Sequence, residues 1–224
     1  VAQYKKRTLK TIDRILEKNK IPIICGGTGF YIQAVVDGIA IPEVSPNWKL
    51  RKKLEKKSTD DLYKILKKLD LRRAKIIDKK NQRRLIRAIE IVKTTTKPVP
   101  RFKLNPLSYP VLMIGIKNDK KKLNKLIEKR FQEWMQTGFI REVKNLRKSG
   151  LSWKRLKEFG LHYQQAAEYL QDKITKKEMI ERSLKNLQDY ASRQMTWFKR
   201  DKRIHWIKNY QEVKKLAKEF LENK

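Results

Sequence analysis

The chain has 224 residues, and its 57 Lys and Arg against 24 Asp and Glu give a formal net charge of +33 with both histidines neutral. This excess of positive charge indicates either a polyanionic partner such as RNA or a genome biased toward lysine on solvated faces. A hydrophobic content of 39% excludes a wholly disordered chain. A single cysteine excludes an internal disulfide framework and a multi-cysteine zinc site, and no apolar run is long enough to span a membrane. Since no secretory signal pattern is visible either, we expect a reducing, cytoplasmic location and no contact with a membrane.

The first forty residues show the pattern of an α/β protein. Residues 3–19 repeat apolar positions at helical spacing, and the apolar run 21–25 predicts a short buried strand. The turn Gly26-Gly27-Thr28-Gly29 follows, and residues 30–36 resume a helical pattern. Such a turn can offer the free N–H groups of a helix start to an anion, or can simply join a strand to a helix. It is not a P-loop, because G-x-x-x-x-G-K-[ST] occurs nowhere in these residues.

The middle of the chain changes to charged helices. They are predicted over 48–57, 59–69, 72–77 and 83–94, and in the last of these Leu85, Ile86, Ile89 and Val92 face inward. The proline-rich stretch 97–110 predicts a loop, and 111–116 a second buried strand. We therefore expect a core of 1–41 and 108–224 that is interrupted by a mostly helical insertion, 42–107.

The last third returns to helices around one more strand. One helix is predicted to end near Gly138. Its mostly apolar face is formed by Leu123, Leu126, Ile127, Arg130 and Trp134. Helices are also predicted over 162–171 and 176–200, followed by a short edge strand over 204–207 and a lysine-rich terminal helix.

Several short motifs then occur in one order along the chain. They are Gly26-Gly27-Thr28-Gly29-Phe30-Tyr31, Asp37-Gly38, Asn81-x-Arg83-Arg84-x-x-Arg87-Ala88-Ile89-Glu90, Arg130, Gly138-Phe139 with Glu142-Val143, and Arg193-Gln194-Met195-Thr196-Trp197-Phe198. This ordered set resembles the tRNA dimethylallyltransferases, and the resemblance extends from about residue 3 to 207. It implies an α/β core like that of P-loop NTPases, here with an incomplete parallel sheet, and a helical insertion that clamps the anticodon stem-loop.

The resemblance also implies an activity and its partners. The reaction would transfer a dimethylallyl group from dimethylallyl pyrophosphate to N6 of the adenosine at position 37 of tRNA, next to the anticodon. Mg²⁺ would be the cofactor, and the complete protein would be a monomer. A non-catalytic RNA-binding remnant of such an enzyme is the alternative, and a nucleotide kinase is a third interpretation that depends only on the α/β pattern.

Site residues follow from the same resemblance, position by position. Thr28 would lie near the target adenine and Arg130 at the pyrophosphate. The residues expected to contact tRNA are Arg51, Arg83, Arg84, Arg87, Tyr163, Gln164, Arg193, Gln194, Thr196, Trp197 and Lys199. Alternatives stay open for three groups: Arg130 can extend from an apolar face to solvent, Arg84 and Arg87 can form a solvated face, and Trp197 with Phe198 can pack in the core.

Some features of the family are changed or not found. Gln164 stands where many relatives carry arginine, Ser192 replaces a usual lysine, and His162 fits a helix start better than a base. The phosphate loop and the aspartate that serves as general base are not found, so we nominate no base and no metal ligand. We expect a preceding segment, with two core strands and the Mg²⁺ ligands, to be missing and these residues alone to be nearly inactive.

Overall fold

The computed structural model describes residues 1–101 and 103–222, and the chain divides into two compact units, Val1–Val111 and Leu112–Lys224. Each unit has its own hydrophobic core. None of the described helices is long and apolar enough to cross a membrane. The division into a core and an insertion of 42–107 stays a prediction.

The first unit consists of helices joined by short loops. Its elements are α1 (Ala2–Leu16), α2 (Gly29–Val36), α3 (Trp48–Glu55), α4 (Thr59–Leu69), α5 (Leu71–Ile76) and α6 (Gln82–Thr95). Every helix predicted here is confirmed, although α1 ends at Leu16 rather than at residue 19. Asn47, Ser58, Asp70 and Asn81 cap α3 to α6, each accepting a backbone N–H three residues on. These caps satisfy donors that the first helical turn leaves free.

The core of this unit lies among α3 to α6. Leu62 and Leu66 of α4 and Leu85 and Ile89 of α6 are fully buried, and α4 packs against both α5 and α6. The four α6 residues predicted to face inward are all buried. The 3.6-residue apolar period therefore located this core correctly.

The segment 21–25 does not form the buried strand that the sequence predicts. It is irregular, it pairs with no strand of the described residues, and Ile23 is 85% exposed. An apolar run becomes a strand only where a neighbouring strand satisfies its backbone donors and acceptors. That partner is not among the described residues, so the prediction of a buried strand is wrong here.

The segments that lead into and out of 42–107 run side by side. The Asn105 N–H donates to the Asp37 carbonyl at 3.1 Å, and the Ala40 N–H donates to the Lys103 carbonyl at 3.0 Å. Gly38 has a φ of +61°, and a Cβ there would lie 1.5 Å from the Asn105 carbonyl oxygen. Only glycine fits this crossing. An inserted segment needs such adjacent ends.

The second unit combines helices with a small sheet. Its elements are β1 (Met113–Ile116), α7 (Lys120–Gln136), α8 (Phe139–Lys148), α9 (Trp153–Lys157), α10 (Leu161–Tyr169), α11 (Lys176–Phe198), β2 (Ile204–Ile207) and α12 (Tyr210–Glu222). β1 and β2 pair in parallel, with Met113 opposite Ile204. This parallel pair and the surrounding helices confirm the α/β class. Two short helices, α8 and α9, were not predicted.

Two details of the second unit differ from expectation. The strand predicted over 111–116 begins at Met113 and is not buried, because Ile114 and Ile116 are exposed on one face. On α7, Ile127 and Phe131 are the buried residues, whereas Leu126 and Arg130 are exposed. The predicted face was therefore wrong at Leu126 and Arg130. Gly138, with φ of +101°, separates α7 from α8 where the sequence predicted the helix to stop.

Candidate nucleic-acid interface and catalytic residues

Thr28 occupies the start of α2, as the glycine turn predicts. Its backbone carbonyl accepts the Tyr31 N–H at 2.9 Å and the Ile32 N–H at 3.2 Å, which begins the helix. Its side chain makes no capping hydrogen bond and is exposed. The Thr28 hydroxyl therefore does not cap α2.

Glu90 forms the centre of an ion cluster in the first unit. Its side chain is 0% exposed, and it accepts hydrogen bonds from Arg51 Nε to Oε1 at 2.8 Å and from Arg51 Nη2 to Oε2 at 2.7 Å. Arg87 Nη1 donates to Oε2 at 2.5 Å, and the Asn47 N–H donates to Oε1 at 2.7 Å. Arg87 also donates to the Val44 carbonyl at 2.9 Å. The cluster thus joins α3, α6 and the loop before α3.

The charges of this cluster hold Glu90 ionised. Burial alone would raise the pKa of Glu90, but the hydrogen bonds from Arg51, Arg87 and the Asn47 N–H outweigh it and lower the pKa to about 2. The same bond to Glu90 raises the pKa of Arg51. Glu90 is therefore a permanent anchor for two guanidinium groups and is not poised to exchange a proton.

The arginines of this unit that the sequence assigned to RNA fall into two groups, those bound to Glu90 and those exposed to solvent. Arg51 and Arg87 are brought together on Glu90 and are only 24% and 33% exposed, whereas Arg83 and Arg84 are exposed on α6. Sequence reasoning missed the role of Glu90. The available signal was an acidic residue one helical turn after Ile86, on the apolar face of α6.

Arg130 lies against an aromatic cluster in the second unit. Its guanidinium carbon is 5.0 Å from the centroid of the Trp134 ring, and the Trp134 ring is 4.9 Å from that of His162. Burial lowers the pKa of His162, Glu142 raises it, and the charge of Arg130 lowers it further. The inward position predicted for Arg130 is wrong: the side chain is exposed, and contact with an indole face orients it.

A cavity of about 690 Å³ opens beside this cluster. Its lining includes Trp134, Phe139, Arg141, Glu142, His162 and Tyr163. The Tyr163 hydroxyl donates to Glu142 Oε1 at 2.5 Å, and this bond raises the pKa of Tyr163 to about 12. Nearby, Gln164 Nε2 donates to Glu168 Oε1 at 3.2 Å. Sequence reasoning missed the cavity, although the aromatic residues around Gly138 and Gly160 were visible.

The end of α11 carries basic and aromatic side chains. Trp197 is 39% exposed, and the guanidinium of Arg193 lies 5.9 Å from the centroid of the Tyr190 ring. Lys199 is exposed at the helix end, Gln194 is half-buried, and the Thr196 hydroxyl donates to the Ser192 carbonyl at 3.0 Å. Trp197 is thus not buried in the core, and Phe198 is only half-buried.

Mg²⁺ prefers carboxylate and water oxygens as ligands. Throughout residues 1–101 and 103–222, no three His, Cys, Asp or Glu side chains converge to hold a metal ion. We therefore assign no Mg²⁺ ligands among the described residues and no catalytic step to the ion.

The chain is similar in sequence and in structure to known proteins. The family model described as IPP transferase matches residues 1–201. The tRNA dimethylallyltransferase of Acetivibrio thermocellus is 35% identical over 92% of this chain and 69% of that protein. That of Halothermothrix orenii is 36% identical over 99% of this chain and 72% of that protein. The crystal structure of a tRNA delta(2)-isopentenylpyrophosphate transferase from Staphylococcus epidermidis is similar with a TM-score of 0.65 at 27% identity, covering 100% of this chain and 76% of that one.

Proposed function

This chain belongs to the IPP transferase family, and we propose that it transfers a dimethylallyl group from dimethylallyl pyrophosphate to N6 of the adenosine at position 37 of tRNA. The observation that carries the proposal is the family match over residues 1–201, a range that includes every residue predicted to contact substrate or RNA. Relatives named tRNA dimethylallyltransferase support it. The non-catalytic remnant is not favoured, since all of these relatives are named as enzymes.

The reaction sets the chemical requirements. A bond forms between N6 of adenine and the first carbon of the dimethylallyl group, the bond from that carbon to oxygen breaks, and N6 loses a proton. Pyrophosphate leaves with the electron pair of the broken bond, so the transition state gains negative charge on oxygen. Fixed positive groups and hydrogen-bond donors near that oxygen accelerate such a step.

Arg130 fits the pyrophosphate side of the reaction. A guanidinium has five N–H donors in one plane that suit phosphate oxygens, and the exposed Arg130 guanidinium lies over the Trp134 ring. Thr28 fits the adenine side, because its hydroxyl at the start of α2 makes no capping bond. We assign no general base. Mg²⁺ is expected with a pyrophosphate donor, but we assign it no ligands among the described residues.

RNA contacts are proposed for the exposed basic and aromatic side chains. On α6 these are Arg83 and Arg84, within the proposed insertion 42–107 that would clamp the anticodon stem-loop. On α11 they are Arg193, Trp197 and Lys199. Basic groups suit phosphates, and exposed aromatic rings suit unpaired bases. Arg51 and Arg87 would act indirectly, by holding α3 and α6 together through Glu90.

Binding to defined RNAs tests the proposal. The purified chain is titrated with an anticodon stem-loop and with a scrambled hairpin of equal length, at the same salt concentrations. We expect the stem-loop to bind tighter by about tenfold or more, a difference of about 1.4 kcal/mol. Equal affinity for the two RNAs at every salt concentration would mean that the +33 charge acts only as an unspecific cation cloud.

Turnover is a separate readout. The expectation that these 224 residues form little product on their own stays a prediction, and so do the monomeric state and the cytoplasmic location. A reaction with the stem-loop and dimethylallyl pyrophosphate measures turnover directly. Product at a rate comparable with that of a longer relative would overturn the expectation of low activity.

A further inference from the structure

We propose that Trp48 is a stacking platform for an unpaired base of the bound RNA. The inference depends on the proposed function, because it assumes an RNA partner. Trp48 begins α3 and is 65% exposed, although tryptophan carries the largest apolar surface of any side chain. The exposed indole offers a flat ring on which a nucleic-acid base can stack.

The Trp48 ring contacts an arginine that is itself fixed in place. The Arg51 guanidinium lies 5.2 Å from the centroid of the Trp48 ring, and two hydrogen bonds to the buried Glu90 fix that guanidinium. Arg51 therefore serves as a rigid support rather than as a mobile surface cation. A guanidinium at this distance over an indole face is attracted by the ring quadrupole.

The backbone beside Trp48 is equally constrained. The Asn47 N–H donates to Glu90 at 2.7 Å, and the Asn47 side chain accepts the Leu50 N–H at 2.9 Å. The Arg51 N–H donates to the Asn47 carbonyl at 2.9 Å. A ring that is already ordered loses little conformational freedom when a ligand stacks on it, and such pre-organisation favours binding.

The charge of α3 indicates the kind of partner. α3 carries exposed Lys49, Lys52 and Lys53 against the single acidic residue Glu55. Phosphates fit the lysines, and a flat base fits the indole, so a strand of RNA with an unpaired base matches both features.

Trp48→Ala provides the test, with Ile76→Ala as a matched control that removes a similarly exposed apolar side chain from the same unit. Two RNAs are compared: an anticodon stem-loop and a blunt duplex with the same number of phosphates. We expect Trp48→Ala to weaken stem-loop binding by about fivefold or more, a loss of about 1 kcal/mol or more, because the base loses its stacking partner. Duplex binding should change by less than about twofold, and Ile76→Ala should affect neither RNA.

Three further readouts distinguish stacking from other effects. Trp48→Phe should restore most of the lost affinity. The slope of log affinity against log salt should stay unchanged in Trp48→Ala, because no charge is removed, whereas Lys52→Gln should reduce it. The urea unfolding midpoint should stay close to that of wild type, since the exposed Trp48 loses only its contact with Arg51.

Each failure has its own meaning. Wild-type affinity in Trp48→Ala, or equal weakening for the stem-loop and the duplex, would overturn the stacking role but leave the proposed function intact. If the wild-type chain does not distinguish the stem-loop from the duplex, the proposed function and this inference both fail.

Discussion

Arg51 grips the buried Glu90 with two parallel hydrogen bonds, at 2.8 Å from Nε and 2.7 Å from Nη2. This bidentate pair joins α3 to α6, and Arg87 completes it from the same helix as Glu90. An arginine that the resemblance assigns to RNA is thus held in an ion pair that joins α3 to α6.

Glu90→Gln should destabilise the first unit. The change removes a buried charge that compensates Arg51 and Arg87, and we expect the free energy of unfolding to fall by about 2–3 kcal/mol. Urea denaturation followed by circular dichroism measures it. Glu158→Gln is the control, because Glu158 pairs with Arg155 at the surface and should matter by less than about 1 kcal/mol. An equal loss of unfolding free energy in the two variants would show that the Glu90 cluster contributes no more to stability than a surface ion pair.

Acid should weaken the same cluster. The pKa of Glu90 falls from an ordinary 4.5 to about 2 on folding, so its carboxylate stabilises the folded state above about pH 4.5. That contribution is lost as the pH falls toward 2. We therefore expect the stability difference between wild type and Glu90→Gln to be full at pH 6 and clearly smaller at pH 3. A difference that stays constant between these two pH values would contradict the assigned pKa.

Arg84→Gln and Arg87→Gln should have opposite consequences. Arg84 is exposed, so its loss should leave the free energy of unfolding within about 0.5 kcal/mol and weaken stem-loop binding by about tenfold. Arg87 donates hydrogen bonds to Glu90 and to the Val44 carbonyl. Its loss should therefore lower the free energy of unfolding more than the loss of Arg84 does. Paired unfolding and binding measurements decide between these roles. If Arg84→Gln weakens binding by less than about threefold, α6 presents only a solvated face.

Tyr163→Phe should reveal the bond to Glu142. Removing the hydroxyl that donates at 2.5 Å should cost about 1 kcal/mol of stability near neutral pH. The pKa of Tyr163 rises from 10.0 to about 12 on folding, so the bond stabilises fully below pH 10 and is lost as the pH rises toward 12. Tyr169→Phe, on the same helix, is the control. It should change the free energy of unfolding little, both near neutral pH and near pH 12. Equal unfolding curves for wild type and Tyr163→Phe would show that the bond adds no stability.

The helices were largely predictable from local signals, whereas long-range pairing was not. α4 matches its predicted bounds, because Ser58 caps it and its apolar residues repeat at helical spacing. The segment 21–25 was wrongly predicted because strand formation depends on a partner that local sequence does not reveal.

The candidate site shows the same limit. Thr28 lies at a helix start as its motif indicates, but Arg130 is exposed and Arg51 is bound to Glu90. A motif identifies residue types and spacing, and it does not specify which acceptor lies 39 positions away in the chain. The distance between Arg51 and Glu90 in sequence hid their pairing.

Analysis of tRNA nucleosides after deletion of the gene tests the central claim most directly. Total tRNA from the source organism is digested and its nucleosides are separated and identified by mass, with and without the gene and after its return. The proposed function predicts that dimethylallyl adenosine disappears on deletion and returns with the gene. Unchanged dimethylallyl adenosine in the deletion strain would contradict it.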